Sequence, residues 1–174
     1  LIIPFALSFL AYYFIQNKQT TTQPSYAEIV CPLGVRTKFY LPDGSTGYLN
    51  SGSSLKYSVQ FTKERKVKLS GEAYFDIVHN PEVPFHVNTA NLDIKVLGTT
   101  FDVIANDNET TEEIILQTGR VDVRTKTGVQ LALLKPNEQL ILDLEKHNFS
   151  KFEVEAAQYT TWKEGKLVFR NENI

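Results

Sequence analysis

The sequence predicts an all-β domain, and three observations carry that reading. Between residues 26 and 150 apolar residues recur in short alternations of period two, with no sustained helical period. The alternations are separated by strong turn signals such as Pro42-Asp43-Gly44-Ser45 and Ser51-Gly52-Ser53-Ser54. The run from Leu69 to Val103 packs three such alternations together. In it Gly71-Glu72-Ala73-Tyr74-Phe75-Asp76-Ile77 and Gly98-Thr99-Thr100-Phe101-Asp102-Val103 read as two versions of one element, a glycine followed by an aromatic-Asp-aliphatic strand. The expected architecture is a multi-stranded antiparallel sandwich or jelly-roll-like domain, or a short solenoid-like one, with an N-terminal apolar helix. Val121-Asp122-Val123 resembles a third copy, but spacings of 26 and then 20 residues are too irregular for a regular solenoid.

In chain order, Leu1 to Ile15 is uncharged and apolar. As a helix it spans about 22 Å at ~1.5 Å per residue, short of the ~30 Å hydrocarbon core of a bilayer. It reads as the outer part of a transmembrane helix, as the apolar region of a signal peptide lacking its cationic start, or as a buried core helix. Tyr12 and Tyr13, followed by Gln16, Asn17 and Lys18, resemble an exit through a membrane interface. The first residue is not Met, which suggests a fragment or a processed chain. Residues 16–25 are polar and fit a linker. Strands are expected at 29–32 and 35–41, the latter forming a hairpin with 47–50 across the Pro-Asp-Gly-Ser turn. Leu55, Tyr57, Val59 and Phe61 alternate as a half-buried strand, and Val67 to Leu69 resumes after a charged bend. Ala73, Phe75 and Ile77 share one face, with Tyr74, Asp76 and Val78 on the other. Phe85 and Val87, then Leu92, Ile94 and Val96, restart the pattern beyond a loop bounded by Pro81 and Pro84. Aliphatic pairs at 114/116, 121/123, 131/133 and 140/142 complete it. Glu153 to Tyr159 has good helix formers, and Trp162 to Phe169 reads as a turn and a strand. The division expected is 1–16 transmembrane helix remnant, 17–28 linker, 29–150 β-domain, and 151–174 linker and truncated start of a C-terminal domain.

The 174 residues carry 18 basic and 20 acidic side chains, a net charge of −2. No basic stripe runs along the sequence, which argues against a nucleic-acid partner. The one dense basic cluster, Lys63, Arg65, Lys66 and Lys68 around Glu64, reads as a solvated strand or turn. A single cysteine, Cys31, excludes an internal disulfide. A lipid-attachment role for it is opposed by Val30, where such processing needs a small residue, and a quiet strand thiol is the simpler reading.

Chemistry-bearing groups are sparse. His79 and His86, with Asp76 and Glu72 nearby, have metal-ligand types but no zinc or iron spacing. His147 stands alone. Glu112-Glu113 and Asp107/Glu109 read as solvated acids of a polar loop. Ser51, Ser53 and Ser54 lack a nucleophile-elbow context, and Gly44 to Gly52 is too short to cradle phosphates. No catalytic, cofactor-binding or metal-binding residue is assigned and no cofactor is implied. Twenty aromatic residues (11 Phe, 8 Tyr, 1 Trp) leave a carbohydrate- or small-ligand-binding β-domain as an alternative, with Tyr40, Tyr48 and Tyr74 as stacking candidates. A cupin-like metal enzyme is the weakest reading.

An ordered series of motifs adds to this. Leu41-Pro42-Asp43-Gly44-Ser45, Leu49-Asn50, Ser54 with Tyr57, Arg65/Val67/Leu69, Gly71 to Ile77, Pro84-Phe85 with Val87, and Val96-Leu97-Gly98-Thr99 with Phe101 occur in this order. The series, from about 29 to 142, resembles the FecR family of transmembrane anti-sigma factors, also called iron-dicitrate sensors. Trp162, Gly165, Leu167 and Phe169 resemble the entry to the domain that often follows. The resemblance implies a non-enzymatic regulator that crosses the inner membrane once and places this domain in the periplasm. Its partners would be the N-terminal signalling domain of a TonB-dependent outer-membrane transducer and an extracytoplasmic-function sigma factor. The sigma factor would be bound by a cytoplasmic segment that this sequence does not contain, so the chain alone is not expected to bind it. Two positions depart from the pattern: Ser58 follows Tyr57 where proline is common, and Asp102 stands where asparagine is common. The family has no catalytic residues to transfer, and its signature residues are expected to serve the scaffold.

Overall fold

The computed structural model describes residues 25–61 and 64–166. The apolar segment 1–15, the linker up to residue 24 and the end of the turn and strand expected over Trp162 to Phe169, from residue 167 on, lie outside the described residues. Thirteen strands are described: β1 (Tyr26–Val30), β2 (Thr37–Tyr40), β3 (Thr46–Leu49), β4 (Ser54–Ser58), β5 (Arg65–Asp76), β6 (Phe85–Asn88), β7 (Leu92–Val96), β8 (Thr100–Ala105), β9 (Thr111–Thr118), β10 (Val121–Thr125), β11 (Gln130–Leu134), β12 (Glu138–Asp143) and β13 (Asn148–Glu153). A one-turn helix α1 (Ala156–Tyr159) and a 3-10 turn (Thr161–Glu164) follow. No helix among the described residues is long and apolar enough to cross a membrane.

The strands form two sheets joined through β5. The first sheet runs β1-β4-β5-β6-β7-β10-β11, and the second β2-β3-β5-β8-β9-β12-β13. Residues 65–68 of β5 pair with β6, and residues 71–76 pair with β8. The two sheets face each other as a barrel-like sandwich, so the sandwich form of the sequence expectation holds. One feature departs from the antiparallel expectation: β5 and β6 are parallel, Arg65 opposite Phe85 and Lys68 opposite Asn88.

The parallel pair follows from the shape of β5. The sequence reads as two strands around Gly71, whereas the structure has one strand of 12 residues. Straight, it would carry Arg65 about 40 Å from Val78 at ~3.3 Å per residue. Instead Nη1 of Arg65 donates to the Val78 carbonyl at 2.8 Å. The strand is therefore bent, and its bend is at Gly71, φ +97°. That backbone conformation favours glycine, and a Cβ there would lie 2.3 Å from Oγ of Ser53. Oγ of Ser53 in turn accepts the Glu72 N–H at 2.8 Å. With the ends of β5 brought together, residues 77–84 suffice to return the chain alongside Arg65.

Arg65 closes the bend. Its side chain is buried, unlike the solvated role expected for the basic run, and it donates to Val83 O (2.6 Å), Val78 O (2.8 Å), Asn80 O (3.0 Å) and Oδ2 of Asp43 (3.2 Å). Asp43, in the Pro-Asp-Gly-Ser turn, also accepts from Ser45 Oγ, and Ser45 Oγ accepts the Val78 N–H. The core between the sheets is aromatic at its centre. Phe75 stacks on Phe101 at 5.2 Å and meets Phe39 and Phe85 edge-on at 5.7 and 6.2 Å. Phe85 continues to Phe61 and Tyr57. The two glycine-aromatic-Asp-aliphatic runs are neighbours in direct register, Phe75 opposite Phe101.

Replacing Gly71 with alanine is expected to lower stability by about 2–3 kcal/mol, from a strained φ and the clash with Ser53. Gly34→Ala, at φ +79° with open space around it, should cost about 1 kcal/mol. Urea unfolding of both variants checks this; equal midpoints would refute the close-approach role of Gly71.

Candidate functional site: the linker-capped face of the second sheet

The outer face of the second sheet carries one row of residues in register across seven strands: Lys38, Tyr48, Tyr74, Asp102, Ile115, Gln139 and Phe152. Strand alternation places them opposite the core, since Phe39, Leu49, Phe75 and Phe101 point inward. An outer face is ordinarily wet. Here Asp102 and Ile115 are fully buried and Tyr74 and Gln139 nearly so. The chain leaving β13 supplies the cover.

That chain is fastened at several points. Asn137, in the β11–β12 turn at φ 64°, accepts the Val154 N–H at its carbonyl (2.8 Å) and the Ala156 N–H at Oδ1 (3.3 Å). Ala156 of α1 is completely buried, and Thr160 has 2% exposure. In the 3-10 turn, Trp162 Nε1 donates to Oδ2 of Asp102 at 3.2 Å. Nζ of Lys163 sits 3.6 Å from the centre of the Tyr74 ring, a cation–π contact. Arg36 Nη1 donates to the Trp162 carbonyl. Gly165 ends the turn in the left-handed region at φ 81°, its N–H bonded to Trp162 O.

Beneath the indole lie two carboxyls. Asp102 has one oxygen on Trp162, and no donor among the described residues reaches Oδ1. Glu72 is the adjacent acid. Asn50 Nδ2 donates to its Oε2 at 2.6 Å, and Asn50 N–H to its backbone carbonyl at 2.9 Å. Burial pushes the Asp102 carboxyl well above the usual carboxylate range, and the Glu72 charge adds to it; the indole and Lys163 oppose. Burial raises Glu72 as well, against hydrogen bonds from Asn50 and Asp102, with Glu109 and Glu113 adding repulsion. A proton on Asp102 makes it a donor to Glu72, which relieves both the repulsion and the unmet oxygen.

Other residues singled out in the sequence lie elsewhere. His86 Nδ1 is 2.9 Å from Asp93 on the outer face of the first sheet. His79 backs Gly98, and His147 sits at φ 52° in the β12–β13 turn. No group of His, Cys, Asp and Glu among the described residues is arranged to hold a metal. Cys31 is buried, its thiol facing the Val35 and Leu49 carbonyls. Of the three tyrosines, Tyr48 and Tyr74 adjoin in the row while Tyr40 is exposed beside it, under Lys38. The acid pair at 112–113 is not a solvated loop. Both residues are in β9; buried Glu112 holds Thr89 Oγ1 (2.5 Å) and Asn91 (2.8 Å), and Glu113 accepts from Gln139 (2.7 Å). The Trp162–Asp102 contact, spanning 60 residues, has no signal in the sequence beyond the unusual acid itself.

The raised carboxyls give a signed pH dependence. The folded chain holds protons that an unfolded carboxyl releases above pH ~4, so stability is greatest at low pH on this account and falls as pH rises through the raised values. Asp102→Asn keeps an acceptor for the indole and removes the titration. Its stability relative to the unsubstituted protein should improve progressively as the pH is raised above the ordinary carboxylate range, measured by urea unfolding. A difference that stays constant as the pH rises would rule this out.

The FecR protein family model matches residues 27–122. Two crystal structures from Parabacteroides distasonis ATCC 8503, each described as a "putative anti-sigma factor", resemble the chain. One has 33% identity and TM-score 0.78, covering 84% of this chain and 68% of that one; the other has 34% and 0.77, covering 83% and 68%. No curated protein matches.

Proposed function

Because the chain belongs to the FecR protein family, we propose that it is the signal-receiving β-domain of an anti-sigma regulator. In this reading the regulator is a single-pass inner-membrane protein with the β-domain in the periplasm. It receives a signal from the N-terminal domain of a TonB-dependent outer-membrane transducer and relays it to an extracytoplasmic-function sigma factor. The likeness to anti-sigma factors at 33–34% identity over more than four-fifths of the chain supports the class of function.

The observation that carries the relay is the capped face. A receiving domain must be mechanically joined to the segments it controls. Here the chain that leaves the sandwich is bound back onto it by Trp162, Lys163 and Ala156 rather than departing freely. Movement of either is felt by the other. No chemistry is required of the domain: its buried ionisable groups Arg65, Asp102 and Glu112, and the half-buried Glu72, are engaged in holding loops or the linker.

Deleting residues 29–142 from the full-length regulator should leave a reporter for the cognate sigma factor unresponsive to the inducing signal. A reporter that remains inducible would overturn the reading.

A further inference from the structure

The outer face of the first sheet gathers lysines that are scattered in the sequence. Lys56 of β4 lies directly opposite Lys68 of β5, and Lys66 is two residues from Lys68 on the same face. Like charges directly opposed across strands are destabilising. Neither Lys56 nor Lys68 forms an ion pair among the described residues. Lys126 reaches over from the far side to Asn88 Oδ1 (3.2 Å) and the Leu92 carbonyl (2.8 Å), with Asn88 next to Lys68 in the adjacent strand. Burial lowers the Lys126 ammonium from the usual lysine range and the Lys68 charge adds to this, although Asp93 and Glu112 oppose. Lys56, Lys66, Lys68 and Asn88, with Glu64 among them, line an open groove of about 660 Å³ that includes Tyr26, over whose ring Lys56 lies at 5.2 Å; Lys126 reaches it through Asn88.

We propose that this groove docks an acidic, extended segment of a partner protein. Lys66 and Lys68, two residues apart, are separated by about 6.6 Å along the strand. That is also the spacing of carboxylates at alternate positions of an extended chain, so successive acids of one segment meet successive lysines. Lys56 and Lys126 flank the line, and Tyr26 offers a ring to an apolar side chain. An anionic bilayer suits the face less well. Glu28, opposite Lys56, and Glu64, paired with Lys66 at 3.0 Å, stand at the same surface and would oppose a broad anionic plane. A narrow chain passes between them.

The test uses the full chain and two fluorescent peptides of equal length, composition and charge. In one, glutamate and threonine alternate throughout; in the other, all the glutamates precede all the threonines. Anisotropy at low salt should show the alternating peptide binding more tightly than the block peptide. Lys68→Gln or Lys56→Gln should weaken it by about tenfold, and added salt should weaken it further. Lys146→Gln, an exposed lysine on the β12–β13 turn, should leave binding unchanged. Both groove variants should fold as stably as the parent or more so, since a repulsion is removed, and urea unfolding verifies that. Absence of peptide binding, equal binding by Lys68→Gln, or lysine-dependent binding of phosphatidylglycerol vesicles in place of the peptide would each overturn the proposal. None of these outcomes bears on the sigma-factor reporter.

Discussion

A strand shared by two sheets has to bend, and something has to hold the bend shut. In this chain the bend is Gly71 and the clasp is Arg65. The guanidinium sits in the interior against the Phe85 ring, with three carbonyls of the 77–84 return and the Asp43 carboxylate around it. Removing one partner of a buried charge pair leaves the other stranded, which typically costs about 3–5 kcal/mol. The consequence is geometric as well as energetic. The closed clasp puts β6 beside the first half of β5 and Phe85 against Phe75, and the aromatic centre of the sandwich follows from that placement.

Much of this is readable from the residues. The alternations beginning at 55, 85 and 114 locate strands, although β4 ends at Ser58 rather than running on to Phe61, and Pro42-Asp43-Gly44-Ser45 locates the β2–β3 hairpin, because proline fixes one φ and glycine accepts a positive one. The bend in β5 is not readable, since a glycine at positive φ marks a turn between strands and a kink within one equally well. Arg65 reads as solvated among lysines, because period two alone does not say which face of a strand finds acceptors. Glu112 reads as solvated beside Glu113 for a similar reason. The acid at 102 is visible as a departure from the usual asparagine, but its meaning depends on a tryptophan 60 residues away. The lysine groove needs β4, β5 and β6 to be placed side by side and the turn after β10 to reach across β7.

The capped face connects these local facts to a regulatory role. Asp102 is costly where it is: enclosed, next to Glu72, and satisfied on one oxygen by the indole of the departing linker. Asparagine would fill the same place without charge. The acid therefore ties the linker's attachment to the protonation of the surface beneath it, while the β-domain itself is secured independently by Arg65 and the aromatic core.

The sharing of β5 also bears on how the domain comes apart. Its two halves hydrogen-bond to β4 and β6 in one sheet and to β3 and β8 in the other. Neither sheet can lose its centre without the other losing it too, so partial unfolding of a single sheet is suppressed and the sandwich melts as one cooperative unit. The linker, held through Asn137, the buried Ala156, Trp162 and Lys163 rather than by strand pairing, falls outside that unit. Tension applied from the C-terminal side meets the attachment of residues 154–165 before it reaches a strand, so the linker bears the load first.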